Sequence, residues 1–371
     1  MQKLIFALAA LLIFSHTIAA EVITREHFVE APSASPALKG KLVKLYLREL
    51  KPAEKQPQNA VLFIHGSGTP STPSFDLRYK DYSWMNFLAQ SGFDVFALDL
   101  TGYGRSTRPE PMNDPCNFSA SEQQQFIPAL IKEPCAKTHS QPLTNIESDW
   151  ADMDAAVNFI RKNTAIKSLA LIGWSQGGPR SLGYVQRYPG KVDKLVLLAP
   201  AYHRDAPLTS PKSTEVSSLM GAQNQTDFLN GWKKQTGCAN QVDEQITPII
   251  WQEILASDAL GKTWGTGVRR APEQGATWGF NQTTARQFTL PILLITGEFD
   301  RQVLPQQVRE LYDDLASPQK VLITLACSSH RAIWETNHLL MFKASADWLQ
   351  NTTTNAAPKG VFTIGKGLRE R

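Results

Sequence analysis

Residues Gly173-Trp174-Ser175-Gln176-Gly177 place a serine between two glycines, after an apolar run at 168–172 and before a helix-forming stretch at 179–188. A serine at such a strand-to-helix corner holds its Oγ in the open, and the flanking glycines suit a turn too tight for larger side chains. The following helix would aim free N–H groups and partial positive charge at an oxyanion forming beside it. A serine hydroxyl is a weak nucleophile until a base takes its proton and a third group orients that base. Two downstream residues fit those roles. Asp300 closes Thr296-Gly297-Glu298-Phe299-Asp300, and His330 closes Cys327-Ser328-Ser329-His330. Each follows an apolar run, as Ser175 does, so all three fall at strand C-terminal ends, the edge where open parallel sheets carry their sites. Asp205 is the alternative acid, and His65, His203 and His338 are rival bases. Asp149, Asp152 and Asp154 read as the solvated face and first-turn charges of a helix.

The elements that must position these residues alternate. Short apolar runs at 61–64, 95–98, 168–172, 194–198, 292–296 and 321–325 read as buried strands. Residues 41–47 read as an edge strand after an irregular arm at 21–39. Helical patterns occupy 84–90, 146–161, 179–188, 306–315 and 334–349. Strands alternating with helices predict an α/β fold, with a mostly parallel central sheet and helices on both faces. Two stretches interrupt the alternation: a proline-punctuated insertion at 105–144, and a mostly helical, tryptophan-bearing segment at 201–288 on the side of the serine. The division that follows is a core of 21–200 and 289–350, a helical lid insertion at 201–288, and a polar tail at 351–371.

At this point the chain resembles the α/β-hydrolase superfamily, over nearly its whole length after residue 20. His65-Gly66-Ser67-Gly68 resembles the loop after the third strand, and Asp99-Leu100-Thr101-Gly102-Tyr103-Gly104-Arg105-Ser106 the segment after the fourth. Residues 173–178 resemble the nucleophile elbow, and Asp300 and the final His330 fall in place. The resemblance implies Ser175 as nucleophile, His330 as general base and then acid, and Asp300 as the orienting carboxylate. It also implies an oxyanion hole made by the backbone N–H groups of Ser67 and Gln176. Trp174, beside the nucleophile, is a candidate for lining the substrate pocket or for packing on the sheet. A serine nucleophile implies acyl transfer without a cofactor or metal, and hydrolysis of a small-molecule acyl ester is the first expectation. A prolyl-aminopeptidase-like peptidase and an acyltransferase are the alternatives on the same fold. The peptidases of that type resemble H-G-G-P-G at the loop where this chain has His65-Gly66-Ser67-Gly68-Thr69. A non-catalytic binding protein would have lost a triad position, and all three are present.

Residues 1–20 carry the marks of a secretory signal peptide: Lys3, an apolar run at 4–14 and small residues at 17–20. That run is roughly half the length of a membrane span, so no stable anchor is expected after cleavage; an uncleaved N-terminal anchor is the alternative. The expected location is periplasmic or extracellular. There, the even number of cysteines, Cys116, Cys135, Cys238 and Cys327, favours disulfides over free thiols. Three pairings are open. The shared insertion favours Cys116 with Cys135, which leaves Cys238 with Cys327. Asn117, Asn224, Asn281 and Asn351 each begin N-x-S/T. A net charge of +4 without long single-sign runs excludes nucleic acid as a partner. Hydrophobic residues at 42% against 19% charged supply a sizeable core and exclude general disorder.

Overall fold

Alternate residues along the central strands feed two different cores. Val61 and Phe63 pack on one side of the sheet with Ala170, Ile172 and Trp84, while Leu62 and Ile64 pack on the other with Leu169, Leu171 and Met153. Burial on both faces is why these strands are apolar throughout. The computed structural model describes residues 21–54, 56–210, 212, 217–275, 277–354 and 356–365. Residues 1–20, expected from the sequence to be a signal peptide, therefore lie outside the described residues.

In chain order the strands are β1 (Val22–Pro32), β2 (Leu42–Pro52), β3 (Asn59–Ile64), β4 (Asp94–Leu98), β5 (Ser168–Trp174), β6 (Lys194–Leu198), β7 (Met220–Asn224), β8 (Val268–Pro272), β9 (Ile292–Gly297), β10 (Lys320–Leu325) and β11 (Gly360–Ile364). The helices are α1 (Ser71–Phe75), α2 (Trp84–Gln90), α3 (Ala120–Phe126), α4 (Ile146–Asn163), α5 (Gly177–Arg187), α6 (Gln225–Lys233), α7 (Ile246–Ala256), α8 (Gln282–Ala285), α9 (Pro305–Asp314) and α10 (His338–Asn351). Among the described residues nine strands form one sheet, in the order β1-β2-β4-β3-β5-β6-β9-β10-β11. It is antiparallel at β1–β2 and β2–β4 and parallel from β4 to β11. The chain goes from β3 outward to β4 and returns to β5 on the other side of β3, so strand order reverses at this point. A reversal of that kind leaves a crevice beyond the strand C-termini. Ile64 is in register with Gly173, and Trp174 with Leu198, which aligns the ends of β3, β5 and β6.

The helices seat against this sheet through local signals. Asn145 caps α4 by accepting from the Ser148 N–H, acids occupy the first turn (Glu147, Asp149), and Arg161 and Lys162 occupy the last. Met153, Ala156, Val157 and Ile160 form its buried stripe. On the opposite face, α2 and α10 meet where Trp84 stacks on Phe342 at 5.2 Å and donates from Nε1 to Ser345 Oγ.

Three expectations need correction. The arm at 21–39 contains a full edge strand: β1 pairs with β2 along its whole length, but Val29 is its one buried residue, so no apolar period marks it. β2 consequently runs to Pro52 and is second from the edge. The polar tail contributes β11, parallel to β10, and its alternating half-exposure hides it in the same way. Segment 201–288, expected to be mostly helical, holds α6, α7 and α8 but also β7 and β8, which pair as a two-stranded antiparallel sheet, with irregular chain between them. Met112, Phe118, Ile127 and Leu143 of the proline-punctuated insertion share a separate apolar core with Leu219, Met220, Trp264 and Val268 of that segment.

Candidate active site

Ser175 sits at φ 55°, in the left-handed region that costs a non-glycine residue about 1–2 kcal/mol. Surrounding bonds hold it there. Its N–H donates to the Leu198 carbonyl at 2.9 Å, and its own carbonyl accepts from the Ala201 N–H at 3.0 Å, both from the end of β6. The glycines follow from contact. A Cβ on Gly173 would stand 2.5 Å from the Gly177 carbonyl oxygen, and one on Gly177 would stand 2.3 Å from that of Ile64. One on Gly66 would meet the Ser175 Cβ at 3.0 Å, so the loop after β3 lies directly against the serine.

The loops after β9 and β10 bring Asp300 and His330 together. Gly297 makes this approach feasible, since a Cβ there would fall 2.4 Å from the Ser329 carbonyl oxygen. The Phe299 N–H donates to the Ser328 carbonyl at 2.7 Å. His330 Nδ1 is 2.8 Å from Asp300 Oδ2, and both residues are buried. Asp300 Oδ1 accepts from the N–H groups of Gln302 and Val303, at 2.8 and 2.9 Å. A carboxylate anchored beside Nδ1 favours the tautomer that donates from Nδ1 and leaves Nε2 free to accept. Among the described residues no hydrogen bond joins Ser175 Oγ to the ring; contacts of this kind commonly tighten only when substrate is bound.

Ser67 is exposed, and Gln176 is the N-cap residue of α5, where the Gly178 N–H donates back to the Ser175 carbonyl at 2.9 Å. The backbone of loop 65–69 is held from below. Arg180, on α5, pairs with Asp149 at 2.7 Å and donates from Nη1 to the carbonyls of His65 and Gly66, at 3.0 and 3.2 Å. His65 is fully buried, with Nδ1 2.8 Å from the Gly66 carbonyl oxygen and Nε2 accepting from the Leu100 N–H at 3.2 Å. Burial, with the Arg180 charge second, drives its pKa down to about 3. With both nitrogens engaged and the ring neutral, His65 is structural. Asp149 and Asp152 depart from the expected solvated helix face: they are 1% and 3% exposed, and Asp152 accepts from the Thr101 N–H at 2.8 Å. Only Asp154 is partly exposed, bonded to Lys191 and the Tyr184 hydroxyl.

The remaining residues singled out in the sequence disperse. Asp205 and His203 are exposed, the Asp205 N–H donating to His203 Nδ1, and His338 meets Asp81 at the start of α10. Trp174 is 5% exposed and donates from Nε1 to the His330 carbonyl at 3.0 Å, so it braces the histidine loop as well as touching the pocket. Asn117 is fully buried, donating to the Pro111 carbonyl, while Asn224 and Asn281 cap α6 and α8. Cys116 is bonded to Cys135, and Cys238 to Cys327. Among the described residues no three His, Cys, Asp or Glu side chains gather to hold a metal.

Ser67, Ser175 and His330 line one cavity of about 70 Å³, together with Phe228, Arg269, Gln302, Arg331 and Trp334. A larger groove of about 770 Å³ between Leu229, Cys238 and Thr247 touches none of the three. The sequence reading missed Arg269, Arg331 and Gln302, because nothing local marks a charged residue as cavity-lining. It also missed Glu335. This buried carboxylate accepts from the Ser329 N–H and hydroxyl, Trp232 Nε1 and Gln241 Nε2, and so anchors the turn that carries His330.

This sheet, with a serine elbow at its topological switch, defines an α/β-hydrolase. The structure is similar to a thermophilic esterase from Thermogutta terrifontis, with a TM-score of 0.53 and 15% identity over 88% of this chain and 100% of that one. The sequence pattern of the family described as serine aminopeptidase, S33, matches residues 55–337, so the chain belongs to that family and is a serine hydrolase. Among curated proteins it is similar to a 1-acylglycerol-3-phosphate O-acyltransferase of Saccharomyces cerevisiae, 28% identical over 29% of this chain and 28% of the relative. It is also similar to a probable lysophospholipase, BODYGUARD 1, of Arabidopsis thaliana, 24% identical over 43% of this chain and 26% of the relative. The chain thus spans about a quarter of the length of these curated relatives.

Proposed function

We propose that the protein is an exported carboxylic ester hydrolase working through Ser175, His330 and Asp300. The observation that carries this reading is the shared cavity: a strained, accessible serine opens on the same space as a histidine whose Nδ1 is held by a buried carboxylate. In this scheme Ser175 Oγ attacks the acyl carbon while His330 Nε2 takes its proton and passes it to the departing alkoxide. Water then attacks the acyl-enzyme by the reverse proton path. The N–H groups of Ser67 and Gln176 hold the oxyanion, each contributing about 3 kcal/mol to the transition state. Residues 201–288 act as a lid, since Phe228 and Arg269 reach the cavity from that segment. The two disulfides favour an oxidising compartment, and no described helix is long and apolar enough to cross a membrane.

The family description points to a second reading, an aminopeptidase. Such an enzyme must hold a substrate ammonium, yet the cavity lining contains two guanidinium groups and no carboxylate. Ester cleavage is therefore preferred. The acyltransferase named among the relatives suggests a third outcome for the same acyl-enzyme, diversion of the acyl group to an added alcohol. Turnover of p-nitrophenyl esters should fall about 10⁴- to 10⁶-fold in Ser175→Ala. A fluorophosphonate should label the peptide bearing Ser175; retained activity in the variant, or an unlabelled wild type, overturns the assignment.

A further inference from the structure

Most deeply placed arginines here are matched with a carboxylate. Arg48 meets Asp76 at 2.6 Å, Arg180 meets Asp149 at 2.7 Å, and Arg270 meets Asp258 at 2.7 Å, with Arg108 reaching the same Asp258 at 3.8 Å. Arg269 and Arg331 break this pattern. Arg331 is 7% exposed, lies over the Phe228 ring at 4.8 Å, and has a buried Nη1 without a hydrogen-bond partner. Arg269 lies against Gly68 and donates from Nη1 to Thr69 Oγ1 at 2.8 Å. Among the described residues neither forms an ion pair.

Glu273 lines the neighbouring cavity with Arg269 but is exposed and, among the described residues, forms no ion pair with it, and two further nearby carboxylates are already committed. Asp300 is held by His330 and two backbone N–H groups, and Glu335 by Ser329, Trp232 and Gln241. Burial lowers the pKa of both arginines to about 10, the Arg269 charge adding to the effect at Arg331, so both remain cationic at neutral pH. Two cations facing one cavity whose lining holds no carboxylate are costly, even with Glu335 and Asp300 partly offsetting the charge of Arg331. Their planar forks match the oxygens of a carboxylate or phosphate.

We propose that Arg269 and Arg331 form an anion subsite within the ester site, so that the substrate is an acyl ester bearing a phosphate or carboxylate group close to the scissile carbonyl. The inference rests on the ester-hydrolase reading and deepens it. The anion takes no part in the bond changes. Ser175 Oγ forms the new ester bond, the alkoxide leaves with the proton carried by His330, and water releases the acid. The guanidinium pair orients the substrate and selects it by charge.

The test uses the full chain and two matched pairs of esters: p-nitrophenyl hemisuccinate against its methyl ester, and 1-butyrylglycerol-3-phosphate against 1-butyrylglycerol. In the wild type the anionic member of at least one pair should have the higher kcat/KM, by about 10- to 100-fold, as hydrogen bonds to a charged group imply. The pair that shows the preference distinguishes carboxylate from phosphate. Arg269→Gln and Arg331→Gln should each bring the ratio toward one. Equal or reversed preference in the wild type overturns the subsite, as does a preference that survives both substitutions. The wild-type ratio decides the matter even where a variant fails to fold. Failure of every ester, together with absent fluorophosphonate labelling of Ser175, would instead overturn the ester reading itself.

Discussion

Arg180 Nε and Asp149 Oδ2 meet at 2.7 Å with side chains 0% and 1% exposed, and this pair sets the distance between the serine turn and loop 65–69. Arg180 lies on the helix that begins just after Ser175, and its guanidinium also holds the His65 and Gly66 carbonyls. Breaking a buried pair by removing one partner strands the other charge and costs about 3–5 kcal/mol. Asp149→Asn should therefore lower the urea midpoint by that equivalent. It should also reduce kcat more than it raises KM, because Gly66 would lose its fixed place beside Ser175. Asp149→Leu combined with Arg180→Met should regain most of the stability in urea unfolding while leaving kcat low.

Asp152 gives the fold a pH dependence. Burial pushes its carboxyl up to about 7, against about 3.9 in an unfolded chain. Between these values the folded state keeps a proton that the unfolded state has released. Stability therefore falls as pH rises through this window, by up to about 1.4 kcal/mol per pH unit, and levels off above it. Asp152→Asn keeps an oxygen for the Thr101 N–H and has no proton to lose. Urea midpoints measured at pH 5 and 7.5 should differ less in the variant than in the wild type; equal differences would disprove this role for Asp152.

The Cys238–Cys327 bond joins segment 201–288 to the turn that carries His330, and it spans 89 residues. Chain-entropy arguments give about 4.6 kcal/mol for such a loop and about 3.2 kcal/mol for the 19-residue span of Cys116–Cys135. Replacing Cys238 and Cys327 with serine should lower both Tm and kcat. Replacing Cys116 and Cys135 should lower Tm with a smaller effect on kcat, and equal kcat losses in the two double variants would contradict the placement argued here.

The strand ends bearing Ser175, Asp300 and His330 could be read from the sequence because buried parallel strands are unbroken apolar runs, and the residue after each run is fixed by the chain itself. Edge strands lack that mark. β1 and β11 are held by backbone ladders with little side-chain burial, so their residues look like loop. Asp149 and Asp152 read as helix-surface acids because their partners, Arg180 and the Thr101 N–H, lie 31 and 51 residues away. Arg269 and Arg331 were silent for the same reason. Whether a charge is solvated or enclosed depends on what packs around it, and neither neighbouring sequence nor spacing records that.

The apolar core shared by Phe118 and Met112 with Trp264 and Val268 makes the two interruptions of the fold dependent on one another. Residues 201–288 also bury Phe228, Trp232, Ile250 and Trp251 in the main core, but the Trp264 and Val268 face is covered by the insertion. Shortening residues 105–144 would leave the face of Trp264 and Val268 open to water, and removing residues 201–288 would do the same to Phe118. For grafting or evolutionary exchange, the unit that can be traded between chains is therefore the pair: two stretches distant in sequence that must be inherited, lost or redesigned together.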